Sequence, residues 1–451
     1  MSLPTGPRQP RAVQVARWVA RPMELMESAF RRYGDVFTLR FPDIDAVVLS
    51  DPETIKQVFT GDPEVFRAGE SNAFLEPIVG DRSVLLLDGP RHIRERRLLL
   101  PPFHGERMQR YGELITEIAE RDVDGWPLGR PFAIRPRTQA ITLEVIMRAV
   151  FGIEDAGRLS ELRGKLTTLS DIGGSRLRWV GLLFPALQRS FGTSRSPWSR
   201  FVAARAEVDA LLYDEIERRR TDQGLAGRED ILSLLLQARD EDGEPMSDKE
   251  LRDELMTLLV AGHETTATAL AWAFELLLRN PQALARLEAD LAAGGDEYLD
   301  AVIKETLRLR PVLPVVGRLL KAPFALRGYE LPAGTMVAPC IYLTHRNPLV
   351  YPEPERFLPE RFLGTPPDTY AWLPFGGGIR RCIGASFAIF EMNVVIPAVL
   401  WRVRLRPVGS RPEPMRRRAI TFVPARDALV VAERRGRQPG SPSEHARAVA
   451  A

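Results

Sequence analysis

Hydrophobic and polar positions change period along this chain, and the changes predict its elements. Near the N-terminus, DVFTLRF (35–41) and DAVVLSD (45–51) read as two strands joined by a turn at Pro42–Asp45. Ser50 and Glu53 follow with capping-box spacing and Pro52 in the first turn, predicting a helix start. From about 90 to 310 helical periodicity dominates, and strand signals return in 312–342 and 401–432. The expected fold is mainly α with small β-sheets near both ends. One helix stands out. Ser247 and Glu250 form a second capping-box pattern, and the apolar-rich run continues to Asn280–Pro281, more than 30 residues. At 1.5 Å per residue that is roughly 45–50 Å, enough to cross a domain body. A single domain over 15–435 built around this helix is expected, with a flexible segment over 1–14 and a disordered tail over 436–451, rich in Pro, Gly and Ala.

Composition narrows the function classes. The chain has 451 residues, 45% hydrophobic and 27% charged, with a net charge of +3. That charge is too small for its length to argue for nucleic-acid binding, and the clusters Arg94–Arg97 and Arg416–Arg418 read first as solvated faces. The two cysteines, Cys340 and Cys382, form no disulfide framework and fit a reducing compartment. No stretch approaches about 18 continuous apolar residues, so no membrane span is expected. The first residues lack the apolar core of a signal peptide, and RAVQVARWVARPMELM reads as a docked first helix. A soluble cytoplasmic protein is the expectation.

Four stretches carry candidate chemistry. In LLVAGHETTATAL (258–270), inside the long helix, Gly262 costs roughly 1 kcal/mol against alanine, and Glu264, Thr265 and Thr266 bring an acid and hydroxyls into apolar surroundings. Either this is a polar face with a packing glycine, or a groove beside a proton-delivering pair. His263 has no second metal ligand at helical spacing and reads as solvent-facing or structural. Glu305 and Arg308 share a helix face and can pair, and Arg361 lies in a proline-punctuated loop. His92 and Arg96, four apart, are donors on one helix face, and Arg318 and Arg380 are further isolated donors. Finally, PFGGGIRRCIGASFA (374–388) surrounds Cys382 with glycines and arginines ahead of a helix-like run.

Together these stretches resemble the cytochrome P-450 family of haem-thiolate monooxygenases, over about 33 to 432. Phe375, Gly378, Arg380, Cys382 and Gly384 fit its haem-binding signature, 261–266 its oxygen-activating motif, and Glu305-x-x-Arg308 with Pro359–Phe362 its structural triad. Asn347 stands where the family often has aspartate. The resemblance implies heme b (iron protoporphyrin IX) with Cys382 as axial thiolate, a ligand that favours O–O cleavage. It assigns Phe375 to shielding the sulfur, His92, Arg96, Arg318 and Arg380 to the haem propionates, and Glu305, Arg308 and Arg361 to a structural network. Glycine-enabled backbone N–H groups and the helix after Gly384 would temper the thiolate.

By the same resemblance Glu264 and Thr265 deliver protons to O2, the co-substrate, while Ala261 and Gly262 leave room for O2 and substrate. The pocket wall is expected from 68–87, residues near 165–195, Ala261, Leu313, Val315 and Val316, closed by Ile420 and Thr421. Its named residues are mainly apolar, implying a fatty acid, terpenoid, steroid or polyketide. The implied reaction is insertion of one oxygen atom into a C–H or C=C bond by a monomer. Electrons would come from a separate ferredoxin and its reductase, or a flavodoxin, with Arg94 and Arg97 as one candidate docking surface and Arg381 as a further contact. The rival readings are a peroxide-using or O2-independent haem-thiolate enzyme, and a non-catalytic haem protein. The acid–alcohol pair at 264–265 argues against both.

Overall fold

The computed structural model describes residues 2–103, 107–152, 156–173 and 197–435. In chain order its helices are α1 (Arg11–Ala20), α2 (Pro22–Tyr33), α3 (Pro52–Thr60), α4 (Ala68–Ser71), α5 (Glu76–Val79), α6 (Gly89–Leu99), α7 (Arg107–Asp124) and α8 (Arg135–Phe151). They continue as α9 (Ala156–Gly173), α10 (Pro197–Arg220), α11 (Ile231–Gln237), α12 (Asp248–Arg279), α13 (Pro281–Ala292), α14 (Glu297–Leu309), α15 (Ile341–Thr344) and α16 (Ala385–Arg402). The strands are β1 (Val36–Arg40), β2 (Asp45–Leu49), β3 (Phe66–Arg67), β4 (Pro131–Ala133), β5 (Arg318–Leu320), β6 (Phe324–Leu326), β7 (Tyr329–Leu331), β8 (Met336–Pro339), β9 (Val403–Pro407), β10 (Met415–Arg418), β11 (Thr421–Pro424) and β12 (Leu429–Arg434). Fold class and the placing of the β pieces agree with the sequence pattern. The tail at 436–451 and part of the expected pocket wall, 174–195, lie outside the described residues.

One sheet runs β1-β2-β8-β5-β3, antiparallel except that β2 and β8 are parallel. Smaller sheets are β4-β12-β9, β10-β11 and β6-β7. The core is helical and centres on α12. Its 32 residues start at the expected capping box: Ser247 Oγ accepts from Glu250 N–H at 3.3 Å, and Ser247 N–H donates to Glu250 Oε2 at 2.8 Å. Leu255, Leu259, Leu270 and Trp272 are wholly buried, which explains why the helix is apolar nearly all round. α16 is long and apolar enough, by length and composition, to cross a membrane, but most of it is buried in the core.

Two local expectations change. Asp51, not Ser50, caps α3, its Oδ1 accepting from Thr54 N–H at 3.0 Å. Ser50 is fully buried and its hydroxyl donates to Asp35 Oδ1 at 2.9 Å, so it cannot serve the cap. The segment expected to be flexible, 1–14, is placed from residue 2 on: Thr38 N–H donates to Thr5 O at 3.2 Å, the Thr38 hydroxyl donates to Pro4 O at 2.7 Å, and α1 starts at Arg11. An added Cβ on Gly6 would stand 2.0 Å from Thr38 O, so glycine permits this close approach to β1.

Asn347 keeps the position that the family often gives to aspartate: its amide donates to Asp35 Oδ1 at 3.0 Å and its oxygen accepts from Leu349 N–H at 3.0 Å.

Candidate haem-thiolate site

Residues 373–384 form an irregular loop ahead of α16. Gly376 and Gly378 hold φ of +66° and +65°, the left-handed region that glycine adopts without strain. A Cβ on Gly377 would stand 2.4 Å from the Phe59 ring, and one on Gly378 2.2 Å from Phe59 O. These glycines therefore let the loop close against the end of α3, which adds a tertiary reason to the expected one. Cys382 N–H donates to Phe375 O at 3.0 Å, and Phe375 packs edge-on to Trp372. Burial within the loop raises the Cys382 thiol pKa, while the Gly384 N–H and the charges of Arg96 and Arg381 draw it down. Loop atoms crowd the sulfur, yet the residue keeps an exposed surface. Cys340 is inert by contrast: wholly buried beside Met26 Sδ and Pro314 O, it is pushed up to about 12.

The four distant donors converge. Burial, and then the charges of Arg380, Arg96 and Arg318, hold His92 down at about 4, so it is neutral. Its Nδ1 is buried without a hydrogen-bond partner among the described residues. Arg318 is buried, donates among the described residues only to Gly317 O at 2.8 Å and lies over the Phe59 ring, and burial with the Arg380 charge lowers it to about 10. Arg96 forms no ion pair among the described residues, and burial lowers its pKa too. Arg380 has the Asp88 carboxylate beside it, but Arg96 and Arg318, with a neutral histidine whose nitrogen is orphaned, would be costly without a further buried anion. The four residues fit the carboxylates of a haem, which Cys382 would hold through its sulfur.

On α12, Ala261 is exposed midway along a mostly buried helix. Thr265 Oγ1 donates to Ala261 O at 2.7 Å, and Thr266 Oγ1 to Gly262 O at 3.3 Å. Gly262 does not open this face as expected: its missing side chain is filled by Ile146 of α8, whose Cδ1 would stand 3.0 Å from an added Cβ. It is a packing glycine for the α8–α12 crossing. Glu264 lies between Arg418 Nε at 3.1 Å and Arg135 Nη1 at 3.7 Å, so β10 and α8 hold its carboxylate. His263 is structural and not solvent-facing: it is buried, and its Nδ1 lies 2.6 Å from Leu259 O.

The expected pocket residues are only partly grouped. Phe422 N–H donates to Val312 O at 2.8 Å, which brings the β10-β11 turn with Ile420 and Thr421 to the 312–317 loop. Leu313 and Ile420 are half-buried. Val315 and Val316 pack against different clusters, one around Met26 and Phe422, the other around Ile55 and Phe59. Thr421 is buried, its hydroxyl donating to Arg418 O at 2.8 Å. A separate polar cleft of about 730 Å³, lined by residues such as Arg148, Arg219 and Asp230, includes none of these positions.

The triad assembles. Glu305 and Arg308 are both fully buried, with Arg308 Nε donating to Oε2 at 2.6 Å and Nη2 to Oε1 at 2.8 Å. Arg361 Nε lies 3.5 Å from the same Oε1, which also accepts from Leu358 N–H at 2.8 Å. The sequence reading missed His345. Buried completely, it accepts from Leu373 N–H through Nε2 at 2.8 Å, which leaves Nδ1 to donate to Arg308 O at 3.0 Å. It thus ties the triad helix to the residue that opens the cysteine loop.

Also unforeseen is a set of buried acids beside this site. Val84 N–H donates to Glu254 Oε1 at 2.6 Å, and burial holds that carboxyl well above its usual range. Glu95 on α6 is raised to about 7, first by burial and then by the Glu250 charge. A raised carboxyl favours the protonated fold. Its contribution to stability is present below about pH 4.5 and is lost as pH rises through about 7. Glu95→Gln is expected to flatten that slope and to gain up to about 2 kcal/mol at pH 8, read from urea unfolding across pH 5–8. An unchanged slope would refute this.

Arg94 and Arg97, the candidate basic docking face, both carry acidic partners, Arg94 half-buried and Arg97 at the exposed surface. Arg94 bonds Asp240 Oδ2 at 2.6 Å and Pro245 O at 3.2 Å, and Arg97 pairs with Glu241.

The sequence model of the family "Cytochrome P450" matches residues 4–430. Cytochrome P450 135B1 of Mycobacterium tuberculosis is 46% identical over 437 residues, covering 95% of this chain and 91% of its own length. Cytochrome P450 137 of the same species is 40% identical over 401 residues, covering 89% and 83%. Among solved structures, retinoic-acid-bound cyanobacterial CYP120A1 superposes with a TM-score of 0.80 at 24% identity, covering 96% of this chain and 100% of that one. A mutant cytochrome P450DA heme domain reaches 0.84, also at 24% identity, covering 97% and 98%. Matched by the family's sequence model over residues 4–430 and by relatives along nearly its whole length, this chain belongs to the cytochrome P450 family and is a haem monooxygenase.

Proposed function

We propose that the substrate is a hydrophobic small molecule, a fatty acid, terpenoid, steroid or polyketide, oxidised at a C–H or C=C bond. The observations that support this are that Ala261 is exposed on α12 and that the Phe422 N–H to Val312 O bond brings Ile420 to the loop carrying Leu313, all three side chains being apolar. Haem bound through a thiolate supplies reductive activation of O2. In this reading Cys382 provides the thiolate, with the Gly384 N–H and the Arg96 and Arg381 charges easing its deprotonation. His92, Arg96, Arg318 and Arg380 hold the haem carboxylates. Thr265 keeps its proton on Ala261 O and offers its lone pairs to a donor, so it must rotate before it donates. Glu264, between two arginines, exchanges protons toward that hydroxyl. Electrons arrive from a ferredoxin with its reductase or from a flavodoxin, and the exposed Arg91 and Arg381 replace Arg94 and Arg97 as basic contacts.

One experiment tests this reading. The ferric protein is titrated with fatty acids, terpenoids and steroids while the Soret band is followed, and the tightest class is then turned over with NADPH and redox partners. A saturable spin shift and oxygenated product are expected. In a parallel Thr265→Ala arm, binding is expected to persist while product per NADPH falls roughly tenfold and peroxide rises. Turnover by peroxide alone, or coupling unchanged in Thr265→Ala, would overturn the proton-delivery role.

A further inference from the structure

Asp88 immediately precedes α6 and occupies its N-cap position, yet its side chain makes no bond to that helix. It turns to α4 instead. Its Oδ1 accepts from Ala68 N–H and Gly69 N–H, both at 3.0 Å, and its Oδ2 from Glu70 N–H at 3.0 Å. The same Oδ1 pairs with Arg380 Nη2, and both side chains are nearly buried. Arg380 Nη1 also donates to Val84 O at 3.1 Å, and Nη2 to Leu87 O. A Cβ on Gly69 would stand 2.2 Å from Leu86 O and 2.8 Å from Asp88 Oδ2, so α4 sits tightly on 86–88. At its other end Ser71 donates to Gly317 O at 3.0 Å, next to Arg318.

One carboxylate therefore accepts three backbone donors from α4 and a guanidinium from the cysteine loop. Three N–H bonds and an arginine at one anion fix both partners in direction, because each carboxylate oxygen has few acceptor sites. We infer that Asp88 is a positioning residue that ties the pocket wall at 68–71 to Arg380, so that the wall and the haem-facing guanidinium are set by one group. This rests on the assignment of Arg380 to a haem carboxylate. Asp88 then shares Arg380 with that carboxylate, and its loss releases the wall and lets the guanidinium swing.

The test uses the haem-loaded full chain and reads hydrogen exchange and haem transfer to apomyoglobin. Asp88→Asn keeps one acceptor oxygen but sets an NH2 against Glu70 N–H and removes the charge facing Arg380. It is expected to speed exchange across 68–71 about tenfold and haem transfer at least threefold, with α16 amides unchanged. In an Arg380→Lys background Asp88→Asn should no longer speed haem transfer by more than twofold, while 68–71 still exchange faster. Asp88→Ala should exceed Asp88→Asn in both readouts; if it does not fold, Asp88→Asn decides. Unchanged exchange at 68–71, or haem-transfer effects that multiply in the double variant, would overturn the coupling. If Arg380→Lys alone leaves transfer unaltered, the haem assignment of Arg380 falls and the coupling with it. Failure of the substrate reading would show differently, as absent turnover with all these rates as expected.

Discussion

Cys382→Ser is expected to fold but to lose NADPH-supported oxygenation by a thousandfold or more, equivalent to about 4 kcal/mol of transition-state stabilisation. The fold should persist because the side chain makes no structural contact comparable to its backbone: Cys382 N–H to Phe375 O holds the loop, and that bond survives the substitution. Chemistry should not, because serine has no accessible anion at neutral pH and cannot supply the electron push of a thiolate. The contrasting variant is Cys340→Ser. Cys340 lies wholly buried between Met26 and Pro314 O, so its replacement should cost stability and leave the thiolate–haem spectrum intact. Product formation and the carbon monoxide difference spectrum check both. A Cys382→Ser protein that keeps the thiolate spectrum would sink the ligand assignment.

How much of this was legible in the sequence depends on whether a residue's role is set by its neighbours in the chain or by distant ones. The long helix was legible, because capping box and apolar run are local signals and both stand where expected. The cysteine loop was legible for the same reason, and so was the pairing of Glu305 with Arg308, three apart on one face. Residues whose partners come from elsewhere were misread or missed. Gly262 looked like space above a cofactor, but only the position of α8 reveals that Ile146 fills it. Arg94 looked like a free cation until residues 240–250 folded against α6. Asp88 has the sequence look of an ordinary cap for the helix it precedes, and nothing local says that it turns to α4. His345 sits in a stretch with no periodic signal, and its two bonds reach 37 and 28 residues away.

The triad offers the largest expected effect on stability, and its partners allow the cost to be reasoned through. Glu305→Ala removes both oxygens that receive Arg308 and leaves a fully buried guanidinium without its counter-ion. Breaking a buried pair from one side costs about 3–5 kcal/mol, because the surviving charge remains desolvated. The Leu358 N–H loses its acceptor as well, adding about 1–3 kcal/mol if water does not reach it. Against a typical domain stability of about 5–15 kcal/mol, most of the protein should fail to accumulate with haem. Removing the partner too should restore only part of this. An Arg308→Met, Glu305→Leu double variant no longer buries a lone charge, yet Arg308 also donates to His345 O at 2.7 Å, Pro354 O at 2.8 Å and Arg356 O at 3.1 Å. Those carbonyls would lose their donor in the double variant, whereas in Glu305→Ala they keep it. The double-mutant cycle closed by the single variants Glu305→Leu and Arg308→Met should therefore show a coupling energy of roughly 1–3 kcal/mol, with the double variant still less stable than the native chain. Urea unfolding of the haem-loaded protein measures it. A Glu305→Ala protein within about 1 kcal/mol of native would mean that the pair is solvated in solution and does not anchor the cysteine loop.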